Sequence, residues 1–203
     1  MDLSKVKELY DRNLEEYGVD PRSVGWTKPG SQELRFEKLL QVVQDKTEPF
    51  TLNELGCGYG EIYKYCLNEG FSLSQYFGYD ISEQMLEVAQ DYLGKSEPIK
   101  LFNNPSLQTK ADYSVTSGIF NVNFGQSQAD WKKYILETLH NLYNFSEKGF
   151  SFNLLTKYVD YKVDLLYYGD PCEFFEYCRK KLSKKVNLIH DYDLFEWTII
   201  VKK

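Results

Sequence analysis

Apolar positions recur along this chain with two different spacings, and one gives way to the other near residue 50. From Ser31 to Gln44, Phe36, Leu39, Leu40 and Val43 stand at i, i+3, i+4 and i+7, the spacing of a helix with one buried face, and Ser31 is placed to cap it. Lys5 to Tyr17 has the same character, and Gly18 to Gly30, punctuated by Pro21 and Pro29, reads as the loop between these helices. From Phe50 onward, short apolar runs alternate with helical periods, which predicts a parallel sheet covered by helices. Strands are expected at Phe50–Leu55, Gln75–Tyr79, Pro98–Phe102, Ala111–Thr116 and Gly149–Leu155. The helices between them are Glu61–Glu69, Ser82–Tyr92 and Gln128–Tyr143, the last with Trp131, Ile135, Leu139 and Leu142 on one face. Asp170-Pro171-Cys172-Glu173 joins an N-cap, a first-turn proline and a capping-box glutamate, so another helix opens there and runs to about Leu182. Two more strands, Val186–His190 and Phe195–Val201, are separated only by Asp191, Tyr192, Asp193 and Leu194. That is too short for a parallel crossover, so they must be antiparallel neighbours. The expected architecture is an α/β, three-layer, doubly wound sheet of seven strands, mostly parallel, with a C-terminal antiparallel hairpin.

Composition narrows the function. At 203 residues the chain suits one domain, and 42% hydrophobic with 27% charged residues excludes wholesale disorder and fibrous classes. A net charge of -6 repels phosphate backbones and argues against nucleic acid as a partner, leaving Arg179, Lys180, Lys181, Lys184 and Lys185 as a solvated helix end. No apolar run approaches a bilayer span, and the mixed charge of Met1 to Tyr10 is unlike a signal peptide, so no membrane partner and a cytoplasmic location are expected. Cys57, Cys66, Cys172 and Cys178 form no CxxC pair and, with only His140 and His190, do not resemble a metal site; free thiols are expected. The aromatic content, Tyr 17 and Phe 13, exceeds what a core of this size needs, so some rings are expected to line a pocket.

The chemistry concentrates at one turn. Glu54-Leu55-Gly56-Cys57-Gly58-Tyr59-Gly60 stands where the first strand meets its helix. Three glycines at this spacing arise by chance roughly 0.07 times in such a chain, and one glycine is enough for a plain turn. Glycines let the main chain approach a ligand, and a helix N-terminus offers unpaired N–H groups, so a small polar ligand is expected. Asp80 ends the next strand, after Tyr76-Phe77-Gly78-Tyr79, where a carboxylate accepts hydrogen bonds from both ribose hydroxyls of an adenosine cofactor. Its second reading is a cap for the helix near Ser82, with Glu83 completing a capping box. A nicotinamide-dependent oxidoreductase would need glycine where Glu61 stands.

Together these residues resemble the class I S-adenosylmethionine-dependent methyltransferases. The resemblance covers Phe50 to Lys203: the acid-x-Gly-x-Gly-x-Gly loop, the acid in Gly78-Tyr79-Asp80-Ile81-Ser82, the fourth-strand segment Ala111 to Gly118, and the closing antiparallel hairpin. Within that family the chain is similar to a small bacterial group with Ser-Gly-Ile-Phe-Asn, here Ser117 to Asn121, and with His190-Asp191-Tyr192 followed by Glu196-Trp197-Thr198 near its end. The resemblance implies a Rossmann-like core over residues 49–203, an N-terminal helical lid over 1–48 including Trp26, Gln32 and Arg35, and transfer of a methyl group to an O or N of a small-molecule acceptor, leaving S-adenosylhomocysteine. A non-catalytic descendant serving as a partner module is the alternative.

It also implies roles. Glu54, Gly56, Cys57, Gly58 and Gly60 surround the methionine part of the cofactor through the loop amides; Asp80 takes the ribose; Ile81 and Met85 face the adenine. Asn104 stands where relatives place an adenine-binding acid, and is otherwise a turn former. Ser117, Gly118 and Ile119 lie beside the sulfonium. Arg35 pairs with the cofactor carboxylate, since a guanidinium matches a carboxylate bidentately, or is a solvated charge. If the acceptor must lose a proton, His190 and Asp191 are the candidate bases, with a turn-shaping pair as the other reading. Asn121, Asn153, Thr156 and Tyr192 are candidates to meet the acceptor, and Tyr158, Tyr161, Tyr167 and Tyr168 to wrap it.

Overall fold

The computed structural model describes residues 1–95 and 98–203. Its strands are β1 (Phe50–Leu55), β2 (Leu73–Asp80), β3 (Ile99–Asn103), β4 (Ala111–Thr116), β5 (Ser146–Leu155), β6 (Lys185–Ile189) and β7 (Glu196–Lys202). The helices are α1 (Ser4–Tyr17), α2 (Ser31–Leu40), α3 (Glu61–Asn68), α4 (Glu83–Leu93), α5 (Gln128–Phe145) and α6 (Pro171–Lys181), with a single 3₁₀ turn at Pro21–Val24. The seven-stranded sheet has the order β3-β2-β1-β4-β5-β7-β6, and β7 runs antiparallel to both of its neighbours. The closing hairpin therefore does more than extend the edge, because β7 inserts between β5 and β6. The order reverses between β1 and β4, so the crevice beyond their carboxyl ends is where a doubly wound sheet collects ligands.

Alternation along the strands sorts the core into two layers. Phe77, Tyr79, Phe150, Phe152 and Trp197 face α5 and α6, meeting Trp131, Ile135 and Phe174. Leu52, Tyr76, Tyr113 and Val115 face the other way, against Phe36 and Leu39 of α2 and Ile62 and Cys66 of α3. Thus α2 is part of the layer packed on the sheet, and only α1 and the 3₁₀ turn stand over its edge.

Local chemistry explains where elements begin and end. Asp170 Oδ1 accepts from Cys172 N at 3.0 Å, the cap its sequence suggests, whereas α4 is capped by Ser82, whose Oγ accepts from Met85 N at 3.0 Å, and not by Asp80. Ser31 does not cap α2: it is the first helical residue, behind Gly30 at φ 73°, with no side-chain cap. The helix also stops before Gln44, its last turn tightening through Val42 N to Leu39 O and Val43 N to Leu40 O while both valines stay buried. β5 starts at Ser146, earlier than Gly149, because α5 runs straight into it, and Ser146 Oγ holds the helix end at Leu142 O.

Candidate functional site

The glycine loop is bare of side chains for a conformational reason. Gly56, Gly58 and Gly60 have φ of 75°, 53° and 86°, the left-handed region that favours glycine. At Gly56 an added Cβ would also lie 2.2 Å from Ile119 Cγ2, so β4's end packs directly against the bend. Val24, from the 3₁₀ turn, stands over Gly58. The cleft so bounded is lined by Glu54, Gly56, Cys57, Gly58, Asp80, Ile81, Met85, Asn104, Ser117, Gly118, Ile119 and Trp26 from the expected set. Gly60 and Arg35 are not among its lining residues. Gly60 instead packs against Leu93 and makes the turn into α3.

Asp80 faces the cleft with both oxygens already anchored: Oδ2 accepts from Gly58 N and Oδ1 from Ser82 N, each at 2.9 Å. Burial pushes its carboxyl above the usual range, while the amides of Ser82 and Gly58 pull it down. It therefore caps the turn and clamps the glycine loop together, and each oxygen keeps a second acceptor site for a ligand hydroxyl. Glu54 is buried beside it and accepts from Tyr76 Oη; burial pushes its carboxyl well up.

The loop amides do not have the role expected of them. Gly56 N and Cys57 N donate to Tyr79 O at 2.7 and 3.0 Å, Gly58 N is taken by Asp80, and Gly60 N donates to Cys57 O at 2.9 Å. Those four N–H groups hold the bend in shape and are spent. What packs closest against the bend is the protein itself, Ile119 at Gly56 and Val24 at Gly58.

Arg35 is likewise committed elsewhere. Its Nε and Nη2 donate to Glu196 Oε2 and Oε1 at 2.9 and 2.7 Å, and Nη1 donates to Ser31 O at 2.6 Å, all buried. The guanidinium lies 3.6 Å from the Trp26 ring centroid. Glu196 also accepts from Asn153 Nδ2 at 2.9 Å and Asn121 Nδ2 at 3.3 Å, and Asn153 Oδ1 accepts from Gly118 N at 2.7 Å. The network thus holds the cleft wall: Gly118 at φ 74° and the Trp26 edge pressed against it. Gly118→Ala places a Cβ 2.6 Å from two Trp26 ring carbons. It is expected to cost about 1–3 kcal/mol and to displace the indole, read as a lower Tm and a shifted tryptophan emission. Unchanged values would show the wall to be loose.

Several expected acceptor contacts are therefore structural. Asn121 Oδ1 accepts from Leu155 N, Thr156 is buried with its N–H on Phe195 O, and Tyr192 Oη pairs with Thr198 Oγ1 at 2.9 Å. Tyr167 is buried in the core, whereas Tyr158 and Tyr161 are exposed. His190 and Asp191 are exposed at the end of β6, the sheet's far edge, where His190 stacks on Tyr158. They do not line the cleft, because the insertion of β7 carries β6 away from the switch point. Asn104 does line it, but its Oδ1 accepts from Ser106 N and Oγ, so the acceptor an adenine amine needs is occupied by the turn.

A lid over residues 1–48 was expected, but not which residues of its first helix form the roof, nor one wall. Val6 and Tyr10 of α1 and Leu3 just before it cover the cleft, and Asp11 accepts from Ser82 Oγ, tying the helix to the corner that carries Asp80. Tyr10 is pushed up to about 12 by burial and by Asp80. Tyr59, Glu61, Pro105 and Tyr134 complete the lining together with Leu55, Phe36 and Gln32, the last of these named with the expected lid. Glu61 follows the last glycine and was legible only as a departure from the nicotinamide pattern; Tyr10 left no signal beyond its helix. Among the described lining residues there is no lysine, arginine or histidine, while Glu54, Glu61 and Asp80 are present.

Known proteins resemble this chain in sequence and in fold. Residues 53–137 match the family model of a methyltransferase domain. Over 163 residues the chain is 40% identical to Rv1506c of Mycobacterium tuberculosis, which bears the name of a methyltransferase; the match spans 79% of this chain and 98% of that one. Magnesium protoporphyrin IX methyltransferase of Synechocystis PCC 6803, solved with bound S-adenosylhomocysteine, shares the fold with TM-score 0.69 and 13% identity over 100% of both chains. The 1,6-didemethyltoxoflavin-N1-methyltransferase of Burkholderia thailandensis shares it with TM-score 0.63 and 15% identity, covering 100% of this chain and 91% of that one.

Proposed function

The chain belongs to the class I S-adenosylmethionine-dependent methyltransferases, and from that premise we propose that it moves a methyl group from S-adenosylmethionine to an oxygen or nitrogen of a small-molecule acceptor. The observation that carries the cofactor's place is Asp80, a carboxylate in the cleft wall with free lone pairs facing a bend that admits no side chain. Further support for the fit comes from Ser117 Oγ, a buried hydroxyl without a protein partner at the same wall. The acidic lining suits a cationic ligand. When bound, S-adenosylmethionine supplies an electrophilic methyl carbon on a positively charged sulfur.

The protein's share of the work is positioning and shielding. Gly118 and Trp26 form a fixed wall at the end of β4, α1 excludes water from above, and Asp80 orients the sugar, so an acceptor is held in line with little side-chain chemistry. The acceptors named for two of the matched folds, a magnesium porphyrin and a toxoflavin precursor, are flat ring systems of different size and favour a small-molecule acceptor over a polymer. His190, exposed beyond the cleft, is not the base in this reading.

Calorimetry with S-adenosylmethionine, followed by transfer of its labelled methyl to metabolite extracts, tests the proposal. Saturable binding and a labelled small product are expected, and His190→Ala is expected to leave transfer unchanged. Binding without any labelled product would favour the partner-module reading, and label on nucleic acid or protein alone would overturn the acceptor class.

A further inference from the structure

The cleft leaves one charge unanswered. The amino-acid end of S-adenosylmethionine carries an ammonium and a carboxylate, next to a cationic sulfur. The lining holds the carboxyl groups of Glu54, Glu61 and Asp80, but among the described lining residues no basic side chain serves the negative group. Arg35 is bound bidentately to Glu196, and four glycine-loop amides are spent within the bend. A carboxylate taken from water needs donors in their place.

Gln32 meets that need. It is 5% exposed, lines the cleft, and accepts through Oε1 from Tyr59 Oη at 3.3 Å. That bond anchors one end of the amide, and the structure gives Nε2 at the other end no partner. Gln32 is also the second residue of α2, whose N-cap is Gly30 and lacks a side-chain bond, so the positive end of the helix lies beneath it. We propose that Gln32 Nε2, at the amino end of α2, receives the carboxylate of the cofactor's amino-acid portion, in the role expected of Arg35. The assignment rests on the methyltransferase reading above. Tyr59, the residue between the second and third glycines of the loop, acts here as the positioning residue that sets which end of the amide faces the ligand.

Calorimetry on wild-type protein and on Gln32→Ala, with S-adenosylmethionine and with its decarboxylated form, tests it. The second ligand keeps the ammonium, sulfonium and adenosine and lacks only the carboxylate. Gln32→Ala is expected to weaken S-adenosylmethionine about tenfold to a hundredfold and to leave the decarboxylated ligand within about twofold of wild type, which also shows the variant folded. Gln32→Glu, setting a fourth carboxylate against the ligand's own, should weaken S-adenosylmethionine further still. Equal losses for both ligands, or none for S-adenosylmethionine, overturn the assignment. If the wild-type protein binds neither ligand, the cofactor reading itself falls and takes this one with it.

Discussion

Asp80→Ala is expected to weaken S-adenosylmethionine binding by more than about a hundredfold, because two hydrogen bonds from ribose hydroxyls to a charged acceptor are lost, each about 1.5–3 kcal/mol. The same substitution strips the acceptor from Gly58 N and Ser82 N. Some of that loss is recovered by water in the opened cleft, so stability should fall by about 1–2 kcal/mol, or roughly 2–8 °C in Tm. The two readouts separate the roles of the side chain. Asp80→Asn keeps one acceptor oxygen and should fall between wild type and alanine in affinity. Calorimetry with S-adenosylhomocysteine and with methylthioadenosine should show the same proportional loss, since both carry the ribose; this distinguishes Asp80 from Gln32, whose loss should spare a ligand without the carboxylate. Unchanged affinity in a folded Asp80→Ala protein would remove this residue from the site.

The second large effect concerns stability. Glu196 and Arg35 are 1% and 7% exposed and bonded through two oxygens and two nitrogens. Removing either partner leaves a buried charge uncompensated, at about 3–5 kcal/mol. For Glu196→Ala this corresponds to a Tm lower by roughly 6–20 °C, with Asn121 and Asn153 losing their shared acceptor as well. The double variant Arg35→Met/Glu196→Leu removes both charges and should be more stable than either single variant, because the cost lies in the orphaned charge more than in the lost attraction. Denaturant unfolding of the four proteins gives the coupling directly. Single substitutions that each cost less than about 1 kcal/mol would mean the pair behaves like a solvated one and does not brace Trp26 and Gly118. A protein that tolerates the double variant should still bind S-adenosylmethionine more weakly, since Trp26 would lose the guanidinium beneath it.

Most of the layered fold was legible along the chain because it is written in local terms. Glycines at left-handed φ, the cap at Asp170, the alternation of strand residues and the spacing of helix residues each act within a few positions. They placed the glycine bend and Asp80 side by side, since a strand, a tight turn and a helix leave the chain few other ways to run. The tight link between β6 and β7 likewise forced their antiparallel pairing. Where the local signals misled, the competing term was backbone geometry: Gly30 took the cap position that Ser31 was expected to fill.

By itself, then, the sequence determined a doubly wound sheet with a nucleoside-sized crevice at its switch point. Only the tertiary structure decided which side chains remain free to act there. Arg35 and Glu196 lie 161 positions apart, and they meet because β7 inserts beside β5, setting Glu196 opposite Leu155 and within reach of Asn153. That insertion engages Arg35 and the asparagines and carries His190 to the far edge, while Gln32 Nε2 in the cleft stays unspent. A charged or polar side chain satisfies the nearest strong partner the fold provides, and which partner is nearest depends on strand order and register across the sheet, which no local spacing encodes.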